Sequence, residues 1–165
     1  MRKISKQSQV TLIELPPTQF GIFNGNLSYD EFTMFTKNLP SRALPTLEGC
    51  LRANGWSNVE SLYPLHHGKD GKLTEQNLRR IWASDVLLVS SITRTAPPSM
   101  SLIELYKANN PKGTVIVGGP DPTFRPEEWL KAGADVVVFG EGDRTFAELT
   151  ERLIQNNGDL GDVAG

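Results

Sequence analysis

Five short apolar runs alternate along the chain with longer stretches in which apolar residues recur every three or four positions. The runs cover residues 10–15, 59–63, 85–92, 114–117 and 135–139. The third and fifth are nearly continuous in aliphatic residues, which is typical of a strand covered on both faces, because a half-exposed strand alternates apolar and polar positions. The pattern therefore predicts five buried β-strands.

The stretches between the runs have helical spacing. Helices are predicted over residues 41–54, 74–83, 99–109, 126–132 and 144–156. Thr74 is a candidate N-cap for the second helix, and Asn54-Gly55 is a stop signal for the first. The third predicted helix carries the apolar residues Leu102, Ile103, Leu105 and Tyr106.

The regular alternation of strand and helix indicates the fold class. It predicts right-handed crossovers, with helices on both faces of a parallel sheet. We therefore expect an open, doubly wound α/β fold of the flavodoxin-like or Rossmann-like type, with five strands in the order 2-1-3-4-5.

One segment departs from this rhythm. Residues 18–40 form a long connection after the first strand, with five aromatic residues: Phe20, Phe23, Tyr29, Phe32 and Phe35. Long connections inside a compact domain are usually functional or partly disordered. We assign residues 1–157 to a single domain that includes this connection, and residues 158–165 to the start of a linker.

Charge and cysteine content narrow the classes of function. Seventeen basic and nineteen acidic residues give a net charge of −2, which argues against a nucleic-acid binder or a membrane-surface protein. No stretch approaches the roughly 18 apolar residues of a membrane span, and the polar N-terminus is unlike a signal peptide. Cys50 is the only cysteine, which excludes an internal disulfide and an all-cysteine metal site. We expect a cytoplasmic protein in which Cys50 is a small core residue.

Candidate ligand contacts follow the predicted strands, because open α/β sheets bind ligands beyond the carboxyl ends of their strands. They are Pro16, Pro17, Ser90, Ser91, Thr93, Thr95, Gly118, Gly119, Pro120, Asp121, Thr123, Gly140, Glu141 and Gly142. Hydroxyls beside a helix start suit anionic groups, and paired glycines let a ligand approach the backbone closely. Turns require the same residue types, so each loop alone is compatible with a structural role. Three such loops on one edge favour a binding site.

Two other kinds of site have weaker support. Gly140 and Gly142 form a G-x-G after the last strand, whereas a dinucleotide fingerprint follows the first strand and has a third glycine. This disfavours a nicotinamide site. His66 and His67 are adjacent and have no nearby carboxylate or thiolate partners, so we interpret them as solvated loop residues rather than metal ligands.

The acidic residues of these loops leave a further alternative open. We expect Asp143 to cap the last helix rather than to form an acid–base pair with Glu141. With Asp121, these carboxylates could gather around Mg²⁺ or Ca²⁺, which bind oxygen ligands. Helix capping and solvation are the commoner roles, and we predict no metal site and no catalytic residue.

Residues 85–93, 115–124 and 133–145 resemble the N-terminal cobalamin-binding-type domain of radical S-adenosylmethionine enzymes. In that family a G-G-P-H-P-T-like loop follows the fourth strand and a G-E-G-E-x-T-like loop follows the fifth. Asp121 and Asp143 stand here where histidine and glutamate are frequent. Residues 15–17 and 44–56 are also similar to the family's first loop and first helix.

The resemblance implies that cobalamin lies over the strand ends. It implies contacts from Ser90, Ser91, Thr93 and Thr95 to the nucleotide loop or corrin side chains, and close backbone approach at Gly118, Gly119, Gly140 and Gly142. The D-x-H-x-x-G signature of proteins that supply an axial histidine is absent after the first strand. Cobalamin would therefore be held without a protein histidine on cobalt, unless the cofactor has been lost.

The resemblance also implies a partner. A C-x-x-x-C-x-x-C motif is absent, so the iron–sulfur cluster and S-adenosylmethionine would belong to a C-terminal radical domain outside this chain. Because a cluster needs several thiolates, we predict that this chain alone has no catalytic activity.

Two rival functions use the same fold. The first is an interaction module that has lost the cofactor, with residues 18–40 as a docking surface. The second is a flavin- or phosphate-binding domain, which has only fold analogy behind it.

Overall fold

The computed structural model describes residues 4–15, 42–63, 73–140 and 142–155. One sheet of five parallel strands has the order β2-β1-β3-β4-β5, which confirms the predicted fold. The strands are β1 (Val10–Glu14), β2 (Val59–Leu62), β3 (Val86–Ser90), β4 (Thr114–Gly118) and β5 (Val136–Val138). Each lies on a predicted apolar run.

Helices cover both faces of the sheet. They are α1 (Ala43–Ala53), α2 (Glu75–Ala83), α3 (Ala96–Asn109), α4 (Pro120–Phe124), α5 (Pro126–Lys131) and α6 (Gly142–Gln155). Leu44 of α1 and Phe146 of α6 belong to the core of one face. Ile81 of α2, Ile103 of α3 and Trp129 of α5 belong to the core of the other. The sheet is therefore buried from both sides, as its continuous apolar runs predict.

Strand alternation assigns each residue of the central strands to one face. Leu88 pairs with Ile116 in the core under α1 and α6, whereas Val89 pairs with Val117 in the core under α2, α3 and α5. Successive side chains of a strand point to opposite faces. Ser90 and Gly118, the next pair in this register, therefore point to the same face as Leu88 and Ile116.

Helix α2 begins at the predicted cap. The Thr74 hydroxyl accepts a hydrogen bond from the Asn77 backbone N–H at 3.1 Å, and the Asn77 side chain accepts one from the Thr74 backbone N–H at 3.2 Å. This reciprocal capping box satisfies two N–H groups that have no partner within the helix.

Replacing Thr74 with alanine is expected to lower the free energy of unfolding by about 1 kcal/mol, because the cap hydrogen bond is lost. Urea denaturation followed by circular dichroism measures this loss. Gln76→Ala, at an exposed position of the same helix, is the matched control and should change the stability by less than about 0.5 kcal/mol. An equal loss in both variants would contradict the assigned cap.

Helix α3 begins earlier than predicted. It begins at Ala96 rather than at residue 99, because Pro97 and Pro98 fit the first helical turn, where no N–H is needed. Among its apolar residues, Leu105 has a side chain that is 54% exposed. It precedes the buried Tyr106 by one residue and is therefore rotated from it by about 100° around the helix axis.

Three further predictions are corrected. Residues 120–124 were predicted as a loop, but they form α4, a helix too short and too proline-rich to produce a periodic signal. Asp143 was expected at the N-cap of the last helix, but it lies inside α6, which already includes Gly142. Cys50 is half-buried in α1 rather than a core residue.

Several predictions concern residues outside the described ranges. They are the aromatic connection 18–40, His66, His67, the linker 158–165, and the candidate contacts Pro16, Pro17 and Glu141. Within the described ranges, no helix has the length and apolar character needed to cross a membrane.

Candidate functional site

A cavity of about 140 Å³ opens at the carboxyl ends of β3, β4 and β5. It lies on the face of the sheet that α1 and α6 cover. Its described lining residues are Ala43, Leu47, Leu88, Val89, Ser90, Ile116, Gly118, Gly119, Val138, Gly140 and Phe146. The position is the one at which parallel α/β sheets bind ligands.

The cavity is apolar except for one hydroxyl. Ser90 has the only polar side chain among the described lining residues. It is half-buried at the last position of β3, and its hydroxyl has no hydrogen-bond partner within the described part of the chain. An apolar pocket with one convergent polar group suits a largely apolar ligand that carries a hydrogen-bonding atom.

Three glycines form part of the wall, and a Cβ would have a different effect at Gly119 than at the other two. A Cβ on Gly118 would meet Val138 at 3.7 Å, which is an ordinary contact, so the space there is open toward the cavity. A Cβ on Gly119 would lie 2.5 Å from the Ser91 backbone oxygen. Gly140 has a φ of 67°, and no atom of the described residues lies within 4 Å of such a Cβ. The missing side chain at Gly119 thus allows close packing against the Ser91 backbone. At Gly118 and Gly140 it leaves space in the cavity.

The loop after β3 is held by its own hydroxyls. Ser91 and Thr95 are buried, and their hydroxyl oxygens lie 2.8 Å apart. Thr95 also accepts a hydrogen bond from the Ile92 backbone N–H at 3.0 Å. These hydroxyls are therefore paired with each other and with the backbone of their own loop, and they hold its shape. Thr93 is exposed on the same loop and does not line the cavity.

The start of α3 has fewer anion-binding groups than the sequence suggested. Pro97 and Pro98 have no backbone N–H, and the Ser99 N–H donates to the Thr95 carbonyl at 3.1 Å. An anion at a helix N-terminus is bound by free N–H groups, and this first turn has few.

The loop after β4 is anchored away from the cavity. Asp121 is 2% exposed, and its carboxylate accepts hydrogen bonds from the Trp129 indole N–H at 2.9 Å and from the Arg125 guanidinium at 2.7 Å. The hydrogen bond from Arg125 to Asp121 raises the pKa of the guanidinium. Both carboxylate oxygens are therefore engaged within the protein.

The structure therefore divides the predicted contacts into groups. Ser90, Gly118, Gly119 and Gly140 line the cavity. Ser91, Thr93 and Thr95 belong to the loop after β3 and do not line it. The residues Pro120, Asp121 and Thr123 belong to α4 and do not line it either, and Gly142 is the first residue of α6. Leu47 and Phe146 also line the cavity but were not among the predicted contacts, because helical spacing of apolar residues does not distinguish a cavity wall from the core.

A metal site finds no support in the described part of the chain, which holds no group of three or more His, Cys, Asp or Glu side chains placed to bind an ion. The proposed carboxylate group is not fully described, since the side chains of Glu141 and Asp143 lie outside it. The oxygens of Asp121 are occupied by Arg125 and Trp129.

Comparison with known proteins gives two matches. The family model of the B12 binding domain matches residues 34–150. Over 71 residues the chain is 32% identical to an uncharacterized methyltransferase of Pyrococcus horikoshii. That match covers 42% of this chain and 16% of the relative, so the chain spans only a small part of the relative's length.

Proposed function

Because this chain belongs to the B12-binding domain family, whose model matches most of its length, we propose that the cavity at the carboxyl edge receives the nucleotide end of cobalamin. The observation that carries this proposal is the apolar cavity with the Ser90 hydroxyl at the end of β3, which has no hydrogen-bond partner among the described residues. Apolar walls suit a flat aromatic base, and the hydroxyl can orient it through one ring nitrogen.

The residues present fit this group. Gly118 and Gly140 leave space at the wall, and Leu47 and Phe146 supply apolar surface from α1 and α6. A corrin ring is much larger than a cavity of about 140 Å³, so we place it outside the cavity, over the strand ends. When bound, cobalamin supplies organometallic chemistry at cobalt, and this domain supplies binding and orientation.

Cobalt would lack a protein histidine. The two histidines of the sequence, His66 and His67, follow β2, and no histidine follows β1, where the axial-ligand signature would stand. We therefore expect the coordination of bound cobalamin to come from solvent or from another part of the parent protein.

We place this domain in a radical S-adenosylmethionine enzyme, as its cobalamin-binding part. The support for this assignment is the resemblance of the loop motifs after β4 and β5 to those of that enzyme family. With Cys50 as its only cysteine, this chain cannot ligate an iron–sulfur cluster, so the cluster and S-adenosylmethionine would be bound by the radical domain of the parent. That domain is the proposed partner.

Titrating the 165-residue chain with hydroxocobalamin tests the proposed function. We expect a saturable change in the visible spectrum, and Ser90→Ala is expected to weaken binding by about two- to tenfold, as the loss of one hydrogen bond does. Ser101→Ala, at an exposed position on α3, is the control and should bind as the wild type does. No saturable change at high micromolar cobalamin would rule the function out.

A second candidate function is an interaction module without cofactor. Exposed apolar side chains near the carboxyl ends of the strands favour it: Phe124 is 83% exposed, Ile92 47% and Phe139 43%. Such surface often marks a contact with another protein or domain. A failed cobalamin titration would leave this function as the better supported one.

A further inference from the structure

The short helix α4 is hydrogen-bonded to two residues that line the cavity. Its Thr123 hydroxyl donates a hydrogen bond to the Gly119 carbonyl at 2.9 Å and accepts one from the Gly140 backbone N–H at 3.2 Å. Gly119 follows β4 and Gly140 follows β5, and both line the cavity. A single side chain that does not itself line the cavity therefore connects two loops that do.

A helix of five residues does not hold its shape alone, because too few hydrogen bonds offset the entropy of ordering the chain. Asp121 supplies the missing support. Its carboxylate accepts from Trp129, which is completely buried under the sheet, and from Arg125 at the end of α4. The Asp121 backbone N–H also points to the Ser91 carbonyl at 3.4 Å, toward the loop after β3.

We propose that Thr123 is a positioning residue: by setting the separation of Gly119 and Gly140, it holds the cavity ready for the cofactor. Asp121 anchors α4, the helix that carries Thr123. This inference rests on the proposed cobalamin site. Without the hydroxyl, the loop after β5 loses its link to the loop after β4, and the two walls are no longer fixed before the ligand arrives. Fixing a site in advance raises affinity by lowering the cost of ordering it on binding.

The test compares variants of the full chain by hydroxocobalamin titration, at a temperature at which thermal unfolding shows each to be folded. Thr123→Val keeps the side-chain shape but removes the hydroxyl, and it is expected to weaken binding by about two- to tenfold. Thr123→Ser keeps the hydroxyl and should restore binding to within about twofold of the wild type. Asp121→Asn should weaken binding in the same direction as Thr123→Val.

Tyr106→Phe separates positioning from general stability. The Tyr106 hydroxyl donates to the Ser84 carbonyl at 2.7 Å near the amino ends of the strands, far from the cavity. This variant should lower the melting temperature while the cobalamin affinity stays at the wild-type value.

The outcomes distinguish the two proposals. If the wild type binds and Thr123→Val binds equally well, or if Thr123→Ser is as weak as Thr123→Val, the positioning role is wrong and the cobalamin site stands. If Asp121→Asn does not fold, the two Thr123 variants decide alone. If the wild type itself shows no saturable spectral change, the cobalamin site is wrong, and the positioning role is wrong with it.

Discussion

Replacing Gly119 with alanine is expected to destabilise the domain by about 2–6 kcal/mol, a large share of the 5–15 kcal/mol typical of a domain. Gly119 has φ 108° and ψ 179°, a backbone conformation that essentially only glycine adopts and that costs another residue about 1–3 kcal/mol. A Cβ there would also lie 2.5 Å from the Ser91 backbone oxygen and 3.2 Å from the Ser91 nitrogen. Relieving such a contact adds about 1–3 kcal/mol.

Gly49→Ala is the matched control for this variant. Gly49 lies inside α1, and no atom lies within 4 Å of a Cβ placed on it. The same chemical change should therefore stabilise the domain there by about 0.5–1 kcal/mol, because glycine is a poor residue in a helix interior. Urea denaturation of the two variants gives the comparison. A Gly119→Ala protein as stable as the wild type would show that the loops after β3 and β4 are not packed as described.

The strand order could be predicted because three independent signals agree. Continuous aliphatic runs in β3 and β5 indicate strands buried on both faces, and the intervals between strands are long enough for helical crossovers. Because crossovers between parallel strands are almost always right-handed, only a few topologies remain possible. Helix ends were predicted less well where proline or glycine obscures the pattern, as at Ala96 and Gly142, since these residues are compatible with both a loop and a first helical turn.

The candidate site could be predicted only in part. Ser90, Gly118, Gly119 and Gly140 were identified from their positions after strands, because parallel strands bring their carboxyl ends to one edge. What each glycine does there could not be predicted, since it depends on the neighbour across the loop. Gly119 meets Ser91, a residue 28 positions earlier in the chain, and no local pattern encodes that contact.

The hydroxyl residues illustrate the same limit. Ser90 and Ser91 are adjacent and chemically identical, yet Ser90 faces the cavity and Ser91 is 1% exposed beside Thr95. Successive side chains at the end of β3 point in opposite directions, so the two serines face different surroundings. Which serine faces the cavity depends on the exact end of the strand, which the sequence pattern does not fix. Asp121 was likewise expected at the ligand, whereas its carboxylate points to Trp129 and Arg125.

Gly118→Ala should have the opposite effect to Gly119→Ala: little change in stability and a large loss of cobalamin affinity. Gly118 is paired with Val138 in the sheet and points to the face that holds the cavity. The folded protein can accept a methyl group there, because a Cβ would meet its nearest neighbour, the Val138 side chain, at 3.7 Å. The methyl group would occupy space that the ligand needs.

Overpacking a well-filled site costs about 1–3 kcal/mol, so Gly118→Ala is expected to raise the hydroxocobalamin dissociation constant by roughly five- to 150-fold. Spectral titration measures the affinity, and urea denaturation should show a free energy of unfolding equal to or slightly above the wild-type value. Gly49→Ala should bind normally, because its methyl group lies outside the cavity. Undiminished binding by a folded Gly118→Ala protein would mean that the ligand does not enter the cavity between the sheet, α1 and α6.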